Sequence, residues 1–169
     1  MRIAAFLVVT LLTAHTAAAQ PSVESTAPPS ATTPSSAEQP PSTEQVFGAF
    51  DLFGDWAANC KEPASPANPH VAVTMPTPGL VQEDHDLGND FAVNHYSVLQ
   101  AARLSAERVS IDVIFGPGTE NEQRQKLILQ IRKATRRTLF NQPEGGEVRV
   151  KNGIALARGT RTPLLKKCG

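Results

Sequence analysis

The chain is short of most things that announce a function. It has no excess of charge, with 16 basic and 16 acidic side chains in 169 residues, which argues against a dedicated nucleic-acid binder. Aromatic residues make up only 5%, with one tryptophan and one tyrosine, too few for a platform on which bases stack. There are two cysteines, Cys60 and Cys168, and no Cys-x-x-Cys. Thiol exchange of the thioredoxin kind therefore lacks its residues, and two cysteines alone make a poor zinc site. No Gly-x-Ser-x-Gly elbow surrounds Ser97, Ser105 or Ser110, and no glycine-rich phosphate loop or dinucleotide fingerprint occurs. No cofactor is implied. The length excludes a multidomain enzyme.

The one long apolar run opens the chain. After Arg2, Ile3 to Leu12 is broken only by Thr10, and small residues end in Ala17-Ala18-Ala19. This is the layout of a secretory signal peptide over 1–19. The run is short for a bilayer span, and no cysteine stands at the cut to accept a lipid. The expectation is a periplasmic or secreted protein with no membrane segment once the signal is removed.

Residues 20–45 read as a disordered linker. Six prolines and six serines fall between 20 and 43, with no aromatic residue, so the segment cannot bury enough apolar surface to offset its ordering entropy. The folded unit is then 46–169, enough for one core. Cys60 and Cys168 sit at its two ends, and in an oxidising compartment they are expected to pair.

This unit reads as sheet. Val46 to Phe53 suggests one irregular turn before Gly54-Asp55-Trp56, and the prolines of 61–69 suggest a surface loop. Strands are expected over 71–75, 80–86 and 91–100, the last with Phe91, Val93, His95 and Ser97 on one face. The clearest is 109–115, where Val109, Ile111, Val113 and Phe115 alternate. Residues 123–140 fit helix or strand; strand is favoured for 125–132, returning over 136–141. For the last hairpin, a three-residue Lys151-Asn152-Gly153 loop would set Val150 opposite Ile154 and keep apolar residues on one face. The fold class is all-β: an antiparallel meander forming a small barrel or sandwich, closed by one disulfide. Trp56 is expected to pack in the core.

Charge is segregated along the chain. Residues 20–110 carry 11 acids and 3 bases, and 111–169 carry 5 acids and 12 bases. If the late strands are neighbours, Arg132, Arg136, Arg149, Lys151, Arg158 and Arg161 form a basic face for an anionic envelope component or another envelope protein. The competing reading is that the basic half meets the acidic half in surface ion pairs. A weaker candidate lies near 70–95. A hairpin about 76–79 would set His70 opposite His85, close to Glu83, Asp84, Asp86 and Asp90, for a divalent metal or hydrolytic chemistry. Otherwise these residues form a solvated acidic turn.

Phe53-Gly54-Asp55-Trp56-Ala57-Ala58-Asn59-Cys60 resembles the Gly-Asp-Trp-x-x-x-Cys opening of the invasion-associated locus B family, exported β proteins of alphaproteobacteria. The general layout resembles other small exported proteins of those bacteria. Gly54-x-Trp56 is also similar to the first motif of lipocalins, which implies an alternative, a carrier with a cup for a small hydrophobic ligand. Neither resemblance carries a catalytic residue. The reading favoured is a non-catalytic binding or structural protein of the cell envelope.

Overall fold

A computed structural model describes residues 39–169. The expected signal peptide, and the expected linker up to residue 38, lie outside the described residues.

The first element is a helix, α1 (Thr43–Ala49). Ser42 accepts from the Gln45 backbone N–H, and the Gln45 side chain accepts from the Ser42 N–H. This capping box supplies partners for N–H groups that a helix start leaves open. The helix begins inside the segment expected as linker and replaces the irregular turn expected at 46–53. Val46, Phe47, Phe50 and Leu52 are buried, so packing supports a helix too short to stand alone.

Eleven strands follow: β1 (Gly54–Ala57), β2 (His70–Thr77), β3 (Leu80–Asp86), β4 (Asn94–Ser105), β5 (Arg108–Phe115), β6 (Gln123–Arg132), β7 (Thr135–Pro143), β8 (Val150–Lys151), β9 (Ile154–Ala155), β10 (Thr160–Arg161) and β11 (Leu165–Cys168). The segment that fits either period is strand, β6 and β7 joined by a turn at Lys133-Ala134, in line with the strand expected over 125–132 and its return over 136–141. β1 to β7 form a meander of antiparallel neighbours, and β11 enters between β7 and β1. Eight strands thus close into an antiparallel barrel, which removes free sheet edges. The three short strands β8, β9 and β10 stand outside the closed ring, as a flap running on from β7.

The barrel interior follows from period-two alternation. Trp56, Val71, Val73, Val81, Val98, Val109, Ile111, Val113, Leu127, Leu129, Ile131 and Leu165 form one apolar cluster with α1 and Leu52. An eight-stranded barrel is just wide enough for such side chains to fill. Trp56 is committed to this core: its indole N–H donates to the Leu52 carbonyl at 2.8 Å. α1 packs against β3 and β4, and Arg103 lies over the Phe50 ring at 4.6 Å.

The ends are tied together. Cys60 and Cys168 form a disulfide with a Cα–Cα distance of 5.7 Å. It joins the loop after β1 to the last residue of β11, whose Cα partner on β1 is Asp55. Asn68 holds that loop in shape. Its buried amide accepts from the Asn59 N–H and donates to the carbonyls of Asn59, Glu62 and Pro63.

Two expected registers are overturned. His70 pairs with Asp86, and His85 pairs with Val71. The turn is Pro78-Gly79, with Gly79 at φ 82°, and Met75 and Pro76 together face Val81 in a bulge. Proline has no N–H for the ladder, and bulges accept it. The shift is one residue, so His70 and His85 point to opposite faces of the sheet. In the last hairpin, Val150 pairs with Ala155 and Lys151 with Ile154, not Val150 with Ile154. Asn152 and Gly153 both have positive φ, 53° and 74°, the requirement of a two-residue type I′ turn. The hydrophobic pattern sets register where one face is buried; here the strands lie outside the barrel, and the turn decides.

Candidate functional site

Two places carry chemistry: a polar path inside the barrel, and the flap. The path follows from the alternation of β3. Val81, Glu83 and His85 share the inward face, while Asp84 and Asp86 point out. The residues expected as one solvated acidic turn are therefore split between interior and surface.

Glu83 is 2% exposed and Arg136 3%. Arg136 Nη2 donates to Glu83 Oε2 at 2.9 Å, and His85 Nε2 lies 3.1 Å from the same oxygen. The guanidinium is also 5.8 Å from the centre of the Trp56 ring. Burial pushes the Glu83 carboxyl up, but the Arg136 charge, with the His85 hydrogen bond, outweighs it and holds the group at about 2. Tyr96 continues the path: its ring lies 4.6 Å from His85 and 5.2 Å from Phe115. Burial, then the Glu83 charge, pushes its phenol upward, and Arg149 partly offsets this. Arg149 lies beyond, exposed, its Nη2 donating to Gln123 Oε1 at 3.0 Å.

This assembly is a structural ion pair rather than a reactive one. Glu83 is held charged and tied to a cation, which disqualifies it as a general base poised near neutrality. Sequence reasoning missed the pair because Glu83 and Arg136 are 53 residues apart and stand on strands that are not neighbours. One signal was present: placing Val81 inward on 80–86 also places Glu83 and His85 inward.

The expected histidine site is divided. His85 sits inside with Glu83. His70 is on the outer face of β2, where its Nε2 lies 3.2 Å from the Asn68 amide nitrogen. His95 is also outside, 2.7 Å from Asp84 Oδ1. Among the described residues, no group of three or more His, Cys, Asp or Glu side chains is arranged to hold a metal ion.

The expected basic face is also divided. Arg136 is buried against Glu83, which removes it from any surface. Arg132 is exposed, but its Nε donates to Glu107 Oε2 at 2.6 Å, beside the turn between β6 and β7. Arg149, Lys151, Arg158 and Arg161 are exposed on or beside the flap. From Val148 to Gly169 the chain has six bases and no acid. One of the six, Lys167, is tied to Asp51; among the described residues, no carboxylate lies within ion-pair distance of the four flap bases. Ion pairing between the two halves thus accounts for Arg132, Arg136 and Lys167 but leaves the flap uncompensated.

No family model, no curated protein and no solved structure matches this chain. Among the described residues, no helix is long and apolar enough to cross a membrane. The Cys60–Cys168 disulfide is consistent with folding in an oxidising compartment.

Proposed function

We propose that the protein is an exported protein of the periplasm or cell surface that works by binding, and that its contact site for an anionic envelope partner is the flap: Arg149, Lys151, Arg158 and Arg161. The observation that carries this reading is the charge of the flap: four bases, with no carboxylate in ion-pair distance among the described residues, on or beside strands that stand outside the closed ring. Charge of one sign that is not neutralised within the molecule raises the local concentration of an oppositely charged partner. The interior offers less support for a carrier, because one apolar cluster and a buried ion pair occupy it. The invasion-associated locus B likeness of residues 53–60 agrees with export and adds no site residue.

Retention on a phosphate-bearing cation exchanger tests this. From Gln20 onward the chain has 16 acids and 15 bases, so its net charge alone gives no reason for retention near neutral pH. The exported protein is expected to bind at low salt and to elute as salt screens the patch. Lys151→Glu/Arg161→Glu is expected to flow through, while Arg132→Gln elutes with the wild type. Equal elution of wild type and the flap variant would remove the flap as the contact site.

A further inference from the structure

The flap carries more than charge. Lys151 pairs with Ile154, and Ile154 with Arg161, so these three form one row across β8, β9 and β10 with their side chains on one face. One step along the same register, Leu156 stands opposite Arg149, and the Leu156 N–H donates to the Arg149 carbonyl at 2.9 Å. The Arg149 guanidinium turns to the barrel mouth, where it donates to Gln123 Oε1, so the row left free is Lys151, Ile154 and Arg161, with Leu156 beside it. This is the outward face. On the other, Val150 pairs with Asn141, whose amide reaches Gln125 Oε1 inside the barrel at 2.8 Å. Leu156 is 51% exposed, and Leu164, three residues after Arg161, is 45% exposed.

We infer that this face docks on an anionic phospholipid surface. The inference rests on the flap reading above and names its partner. Soluble anionic polymers need cations and have no use for leucine among them. A bilayer interface uses both: headgroup phosphates attract Lys and Arg, and exposed leucines enter the boundary with the acyl chains. Guanidinium groups at Arg158 and Arg161 suit phosphate oxygens, which they can hold with two parallel hydrogen bonds. A flap outside the closed ring can lie on such a surface while the barrel core stays intact.

Co-sedimentation with vesicles tests the inference, using the exported protein with its disulfide formed. Two preparations are compared: phosphatidylcholine alone, and phosphatidylcholine with phosphatidylglycerol at roughly two to one. Binding is expected to the second only. Each cation near such a surface is worth about fivefold, so Lys151→Glu/Arg161→Glu is expected to lower partitioning by about 25-fold or more. Leu156→Ser is expected to lower vesicle binding several-fold and leave retention on the phosphate exchanger unchanged. Retention on the exchanger with no vesicle binding, or vesicle binding indifferent to Leu156→Ser, would overturn the lipid assignment and leave the flap as a site for an anionic polymer. Equal binding to both vesicles would overturn it too. Loss of both vesicle and exchanger binding in the wild type would remove the flap reading as well.

Discussion

Arg136→Met is expected to destabilise the protein by about 3–5 kcal/mol at neutral pH, the range for breaking a buried ion pair from one side. The long side chain is replaced by one of similar reach, so the loss is mainly electrostatic: Glu83, 2% exposed, is left without its cation. Burial then dominates its ionisation and its pKa rises. In the wild type the Glu83 carboxyl is held at about 2 against an ordinary 4.5. A folded-state value below the unfolded one means that the contribution is complete above about pH 5 and disappears as pH falls toward 2; the two pKa values put it at about 3 kcal/mol. The gap between wild type and Arg136→Met should therefore narrow between pH 7 and about pH 3. The double variant Glu83→Gln/Arg136→Met should recover part of the loss, because no unpaired charge remains. Urea unfolding followed by the fluorescence of the single Trp56 measures all three. A cost below about 1 kcal/mol that does not change with pH would show that the pair contributes little to the fold.

The second large effect concerns the staple. Cys60 and Cys168 are 108 residues apart, and on the chain-entropy model a cross-link of that span stabilises by about 4–5 kcal/mol. The site of the bond adds to the consequence. β11 supplies the strand that closes the ring between β7 and β1, and it is four residues long. Releasing Cys168 frees the end of this strand next to its pairing with Asp55, beside Lys167 and its tie to Asp51. Cys60→Ser/Cys168→Ser is expected to lower the urea midpoint sharply, with hydrogen exchange accelerated first in β11 and β1. An unchanged midpoint would mean that strand pairing alone closes the barrel.

What could be read from the sequence was what alternation controls. Val109, Ile111 and Val113 marked β5 because an inward side chain every second residue is the mark of a half-buried strand. The same test favoured strand for 125–132, which lies within β6. Trp56 and the cysteine pair followed from composition and compartment. The failures were failures of register and of distance. Pro76 moved the β2–β3 pairing by one residue and sent His70 and His85 to opposite sides. The Asn152-Gly153 turn overrode the apolar pattern of strands that have no core to face. Ser42-x-x-Gln45 began a helix where composition suggested only linker. The basic cluster of 132–161 was legible as charge but not as surface, because nothing local told that Arg136 would meet Glu83, 53 residues earlier.

Export underlies both the staple and the envelope role proposed for the flap. The measurement that bears on it most directly is peptide mapping, without reductant, of the protein recovered from its own cells. Export predicts a mature chain beginning at Gln20 and a single linked peptide pair containing Cys60 and Cys168. A chain still beginning at Met1 with both thiols reduced would contradict it, and the proposed envelope partner would go with it.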